Sequence, residues 1–358
     1  MASTESRNRT RIQWMWYSQS NQWNSYSDVQ NLLIEEAFQN EANEILLDNC
    51  RLDLKQNLQI DNNNEYNQYP IKRIVYNKDD CRVRPERFLY VPIDPQRPFA
   101  GMYGWISPFI VQVAKYLNIK PDQLPSKDRR TIDFIVRKAA DGIIEEGKTV
   151  GEEWESKRLS EMLLKQINKE MKDVWECCAR LYSLDSFLYR TLNSTMRLIG
   201  NKDCGDVWRS KVSTLGPFCL LLWDCPLNYN SVQSGTILYR GATLDQQLID
   251  SFRDECLQKS KLIRSFPSFT SCSRNRERAE EFGNVLFVMR VKHAFTVDLK
   301  PFSEYPDEEE ELLSPGVCFT VNRVQFDNFK NKSIIYLDLQ QQHRRKSTVD
   351  FLVLIHLS

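Results

Sequence analysis

The sequence predicts an α+β protein whose helices and strands are segregated along the chain. Three observations carry that reading. Short aromatic and β-branched runs surround one amphipathic stretch, Asn31 to Asn40, in the first 76 residues. From Leu159 onward, Leu163, Ile167, Met171, Val174, Cys178 and Leu181 recur at three- and four-residue steps, the stripe of one long helix. Beyond Pro226 the chain turns to strand-like runs. At 358 residues, two or more domains are expected. The division predicted is a small α+β module over 1–78, a connector and helical region over 79–158, and a larger domain over 159–358.

Within the first module, Trp14, Trp16 and Trp23 fall within ten residues, more than so small a core needs, so part of this aromatic set is expected to line a binding surface. Residues 61–68 read as a polar loop. Pro85, Pro92, Pro95 and Pro98 mark an extended connector, followed by helical patterns over Ser107 to Leu117 and Arg130 to Glu146. This middle part reads as an insertion that positions the first module against the last, or as a separate regulatory element. Asp185 is the expected N-cap of a helix from Ser186, on which Asn193 and Arg197 stand one turn apart. Strands follow at Thr236 to Gly241, Ile263 to Ser273, Val285 to Val291, Phe295 to Leu299 and Val317 to Val321. A helix is expected over Asp245 to Lys259, a short one over Arg278 to Phe282, and a terminal hairpin over Ser333 to Leu357.

Lys plus Arg (48) equals Asp plus Glu (48), so nothing global favours general nucleic-acid binding or an anionic membrane. The first ten residues lack an apolar core, and the longest apolar run, Phe218 to Trp223, is too short to span a bilayer. An intracellular protein, in cytoplasm or nucleus, is expected. Ten cysteines include no Cys-x-x-Cys, and the three histidines never stand at metal-ligand spacing. Reduced thiols and no metal site are the expectation.

The stretch that organises the C-terminal part is Tyr305-Pro306-Asp307-Glu308-Glu309-Glu310-Glu311-Leu312-Leu313-Ser314-Pro315-Gly316. A like-charge run normally belongs to a solvated loop, but this one runs straight into an apolar strand. If it is extended, Glu309 and Glu311 point to one face and Glu308 and Glu310 to the other. Ahead of it come Arg240-Gly241 at a strand end and Ser271-Cys272-Ser273. Arginine, serine pair and Glu-x-Glu, in this order and with two aliphatics and a proline following, resemble the R-S-E class of mono-ADP-ribosyltransferases, its arginine-specific branch in particular. The resemblance covers roughly Leu181 to the C-terminus. It implies a helical lobe packed on a mainly antiparallel two-sheet core, and transfer of ADP-ribose from NAD to an arginine of a protein acceptor. NAD would be consumed as substrate, with no redox cofactor, and no Gly-x-Gly-x-x-Gly is present.

By position, the resemblance assigns NAD binding to Arg240, Gly241, Ser271, Ser273, Asn193 and Glu311, and catalysis to Arg240, Ser271, Glu309 and Glu311. A forked guanidinium suits a pyrophosphate, and a carboxylate suits the oxocarbenium-like transition state of cleavage at the ribose carbon. Gly241 is expected to leave backbone open to the nicotinamide amide, and the Ser271 hydroxyl to fix Glu311. Glu309 is expected to hold and deprotonate the acceptor guanidinium, with Tyr305 stacking on it. Crowding of Glu308 to Glu311 is expected to raise one carboxyl pKa. An NAD glycohydrolase of the same fold is the nearest alternative.

The spacing of Trp14, Trp16, Trp23 and Tyr26, then Ile34-Glu35, Leu52-Asp53-Leu54 and Gln59, resembles a WWE domain. That family binds poly(ADP-ribose), which implies Trp16, Trp23, Tyr26, Gln59 and Arg73 as the contact surface. Tyr69 stands where the family usually has a basic residue. A second alternative, from another class, is a poly(ADP-ribose) reader with an inert transferase domain.

Overall fold

The computed structural model describes residues 11–76, 107–226, 233–258 and 261–340. The first segment forms β1 (Arg11–Tyr17), β2 (Trp23–Ser25), α1 (Asp28–Gln39), β3 (Glu44–Leu46), β4 (Cys50–Asp53), β5 (Leu58–Asp61) and β6 (Gln68–Tyr76). The strands make an antiparallel sheet in the order β2-β1-β6-β5-β4-β3. Helix α1 starts at a capping box, in which the Ser27 hydroxyl accepts from the Gln30 amide and the Gln30 side chain accepts from Ser27 N–H. Its Ile34 packs with Trp14, Leu52 and Ile71 in a small core of its own.

The helices that follow are α2 (Pro108–Tyr116), α3 (Ile132–Val150), α4 (Glu153–Leu164), α5 (Met171–Ser183), α6 (Phe187–Arg197), α7 (Gly205–Ser210) and α8 (Gly216–Trp223). The two helices expected between 107 and 150 are present. They share one hydrophobic core with α5, α6 and α8, so they are part of the helical lobe and not a separate element. The long helix expected after Leu159 is two helices. Its stripe still faces one core, but the chain turns between α4 and α5 with Asn168 in the left-handed region (φ 65°). The N-cap of α6 is Ser186, whose hydroxyl accepts from Tyr189 N–H, while the Asp185 carboxylate pairs with Arg190 at 2.7 Å. Helix α1 docks on α4, where Glu36 meets Arg158 at 2.6 Å and the Asp48 carboxylate accepts from Trp154 N–H at 2.8 Å.

The C-terminal part comprises β7 (Ile237–Ala242), α9 (Gln246–Leu257), β8 (Arg264–Ser265), β9 (Thr270–Ser273), α10 (Arg276–Glu280), β10 (Val285–His293), β11 (Thr296–Asp298), β12 (Glu310–Leu313), β13 (Cys318–Asp327) and β14 (Lys332–Gln340). Strand order is β11-β12-β9-β7-β10-β14-β13-β8. A single pair, Tyr239 with Ser273, joins β9 to β7, so a three-stranded half and a five-stranded half meet nearly as two sheets. All neighbours are antiparallel except β10 and β14. The hairpin lies between β13 and β14, earlier than expected, and residues 341–358 of the predicted hairpin lie outside the described residues. Strand β12 separates two cores: Leu312 packs with the helical lobe, Leu313 with the sheet.

Candidate active site

Strands β12, β9 and β7 are consecutive neighbours, which brings the three sequence motifs side by side. Arg240 on β7 is buried, and its Nη1 donates to the Ser271 carbonyl at 2.5 Å. Ser273 on β9 donates to the Glu308 carbonyl at 2.8 Å and accepts from Asn275 N–H at 2.9 Å, tying the serine strand to the acidic turn.

The acidic run is extended only in its last residues. Pro306–Glu308 form a 3₁₀ turn, Glu309 is left-handed (φ 46°), and β12 begins only at Glu310. The register then sets Glu310 opposite Ser273, Glu311 opposite Cys272 and Leu312 opposite Ser271. Opposed residues share a face and the next pair has the other, so Glu311 and Ser271 point to opposite sides of the sheet. The predicted hydrogen bond between them is therefore absent, and the buried Ser271 hydroxyl has no hydrogen-bond partner among the described residues.

Two carboxylates two residues apart end up in different surroundings. The Glu309 side chain is 39% exposed and meets Lys300 at 3.4 Å. Glu311 is 1% exposed, and its Oε2 accepts from Arg274 Nε at 2.8 Å and Nη2 at 2.6 Å. Burial raises the Glu311 pKa above the usual carboxylate value, against the pull of the Thr296 hydroxyl and Arg274. Desolvation is thus the main cause, not the crowding of neighbouring glutamates. Sequence reasoning missed Arg274; a cation directly after Ser-x-Ser was the available signal.

Three further predicted residues have close protein partners. A Cβ on Gly241 would stand 2.3 Å from the Ala279 carbonyl oxygen and 2.7 Å from that of Phe282, so α10 and the residues after it exclude a side chain here. Tyr305 is buried, not in an open loop, and its hydroxyl donates to Asp28 at 2.5 Å. Asn193 is buried, and its Nδ2 donates to the Tyr182 hydroxyl at 2.9 Å.

In the first module, the register puts Trp16, Ile71, Tyr69, Gln59, Trp14 and Arg73 on one face. The rings of Trp16 and Tyr69 meet edge-on at 5.8 Å, and the Tyr26 hydroxyl donates to Gln59 at 2.6 Å. Arg73 is turned to Glu35, with both donors at 2.9 Å, and Glu35 also accepts from Trp14 Nε1 at 2.9 Å. Burial works to raise the Glu35 pKa, but hydrogen bonds from Arg73, Gln39 and Trp14 prevail and hold it at about 2. Trp23 pairs with Tyr17 and so lies on the opposite face, 37% exposed, with Lys72 Nζ 3.8 Å from its ring centre. The structure brings Trp16, Tyr26 and Gln59 together and leaves Trp23 apart.

The family model for NAD:arginine ADP-ribosyltransferases matches residues 148–347, more than half of the chain. The chain belongs to this family. A second family model, the WWE domain, matches residues 12–73. Solved structures similar to it include the ADP-ribosyltransferase HopU1 of Pseudomonas syringae pv. Tomato, 16% identical over 58% of this chain and 95% of that one, with a TM-score of 0.40. The type III effector XopAI of Xanthomonas axonopodis pv. citri is 15% identical over 65% of this chain and 94% of that one, TM-score 0.43. Comparison with curated proteins returns no match.

This ADP-ribosyltransferase thus carries its motif strands as direct neighbours, with one glutamate exposed on a turn and the other buried beside an arginine. A buried carboxylate is suited to act on developing positive charge, because low local dielectric strengthens the attraction. An exposed one is suited to receive a second substrate.

Proposed function

We propose that this enzyme cleaves NAD at the bond between nicotinamide and ribose and transfers the ADP-ribose to an arginine side chain of a protein acceptor, one unit per event. The observation that carries this reading is the contrast between Glu309 and Glu311 at the end of three adjacent motif strands. In the proposed step the bond from ribose C1′ to nicotinamide breaks and the electron pair leaves with nicotinamide. Glu311 stabilises the oxocarbenium-like transition state. A guanidinium nitrogen of the acceptor forms the new bond to C1′, and its proton passes to Glu309. Arg240 supplies the cation for the pyrophosphate, and NAD is consumed as substrate. A glycohydrolase has no need of a second, exposed carboxylate, which favours transfer to a guanidine over transfer to water.

The first module supports a second role, binding of poly(ADP-ribose) on the face that carries Trp16, Tyr26 and Gln59. The testing experiment is nicotinamide release from NAD with and without agmatine, for wild type, Glu309→Gln and Glu311→Gln. Glu311→Gln is expected to lower all release by about 100- to 1,000-fold. Glu309→Gln is expected to lose only the agmatine-dependent part. Equal loss in both variants would overturn the division of roles, and no release by wild type would overturn the catalytic reading.

A further inference from the structure

The contact between the WWE module and the catalytic part includes a buried carboxylate, Asp28, the first residue of α1. An acid at this position would ordinarily serve the helix N-terminus alone. Here Oδ1 accepts from the Tyr305 hydroxyl at 2.5 Å and from Arg11 Nη2 at 3.4 Å, and Oδ2 accepts from the Asp185 amide at 2.7 Å. Arg11 also lies 3.8 Å over the Tyr305 ring and donates to its hydroxyl. The bonds come from two segments far apart in the chain, one leading into the acidic turn and the other into α6.

Tyr305 precedes the 3₁₀ turn, and its carbonyl accepts from Glu308 N–H at 3.1 Å. The next bond, from Glu309 N–H to the Pro306 carbonyl at 3.2 Å, closes the turn that exposes Glu309. Asp185 precedes the cap of α6, which carries Asn193. A second buried carboxylate works in parallel: Glu155 on α4 accepts from the Ser27 hydroxyl at 3.1 Å and from the first amide of α6, Phe187, at 2.7 Å. The module's residues Ser27 and Asp28 therefore reach both the acidic turn and the start of α6.

Resting on the assignment of Glu309 to the acceptor, we infer that Asp28 is a positioning residue for the transfer step. Through Tyr305 it sets where the Glu309 turn stands, so the WWE module is a structural part of the acceptor site and not an appended reader. Because Glu311 is held by Arg274, the residue directly after β9, NAD cleavage itself does not depend on Asp28.

The experiment uses the full chain, as wild type, Asp28→Asn, Tyr305→Phe and the double variant, with agmatine as the acceptor. Asp28→Asn keeps the shape and removes the charge that makes these hydrogen bonds strong. Expected are a loss of about tenfold in kcat/KM for agmatine in each single variant, the same loss in the double variant, and acceptor-free nicotinamide release within about twofold of wild type for Asp28→Asn. Hydrogen exchange should show faster exchange at the amides of Glu308 and Glu309 in Asp28→Asn. Transfer at the wild-type rate with unchanged exchange would overturn this inference while leaving the catalytic reading intact. Parallel loss of release and transfer with a lowered Tm would also overturn it, as damage to the fold. A wild type that does not cleave NAD removes the catalytic reading itself, a result distinct from both.

Discussion

Glu155 offers a measurement of the module interface that does not depend on activity. Its carboxylate is 1% exposed between α1 and α6, and burial pushes its pKa from 4.5 up to about 7. The Phe187 amide, the Ser27 hydroxyl and Arg190 pull it down, and Glu152 pushes it further up. An acid whose pKa is raised by folding stays protonated longer in the folded state. The folded state is therefore unaffected below about pH 4.5, is progressively disfavoured as pH rises, and bears the full cost above about pH 7. At about 1.4 kcal/mol for each pKa unit, the ceiling of that cost is about 3 kcal/mol. Glu155→Gln keeps both contacts, because its carbonyl can accept from Phe187 and its amide can donate to Ser27. The assay is urea unfolding of wild type and variant across the pH range, read as a difference. The variant should match wild type near pH 4.5 and exceed it by about 1–3 kcal/mol above pH 7. The difference cancels other raised groups, such as Glu311 and Asp224, provided that the substitution does not move them. A difference that stays flat with pH, or a variant weaker than wild type at high pH, would refute the argument.

The face assignment in the WWE module predicts that Gln59→Ala weakens capture of poly(ADP-ribose) whereas Trp23→Ala spares it, and that Tyr69→Arg strengthens it by adding a guanidinium beside Trp16. A pull-down with poly(ADP-ribose) decides, and capture that depends on Trp23 alone would refute the assignment. In the helical lobe, a Cβ on Gly142 would stand 2.0 Å from the Thr214 carbonyl oxygen. Gly142→Ala is expected to lower stability by about 1–3 kcal/mol, since backbone has to move and the better helix propensity of alanine recovers only part of that; a thermal melt with unchanged Tm would refute it.

Several features of this protein are properties of short stretches and were readable as such. The stripe from Leu163 to Leu181 faces the core, although two helices share it, because burial at helical spacing survives a turn that returns the chain to the same core. The one cap predicted, Asp185, fell one position before its place at Ser186. The strands bearing Arg240 and Ser271 were legible as β-rich runs, and the order and residue types of the three motifs were sufficient for the family. The WWE module was likewise legible from aromatic spacing.

Other features depend on partners that no local window contains. Alternation is a reliable guide only where a strand has begun: the left-handed Glu309 lies outside it, and the register of β12 against β9 decides that Glu311 faces with Cys272 and not with Ser271. Which cation meets Glu311 follows from pairing across 37 residues, and the burial of Tyr305 follows from a contact across 277. At Gly241 the carbonyls of Ala279 and Phe282 stand where a Cβ would be, a constraint that no local window contains. The composition and periodicity of the chain set its elements and the residue types of its site, because those depend on backbone and solvent alone. Register, turn and the docking of the WWE module set what each carboxylate touches, because a charge takes its character from the groups that folding brings within a few ångströms.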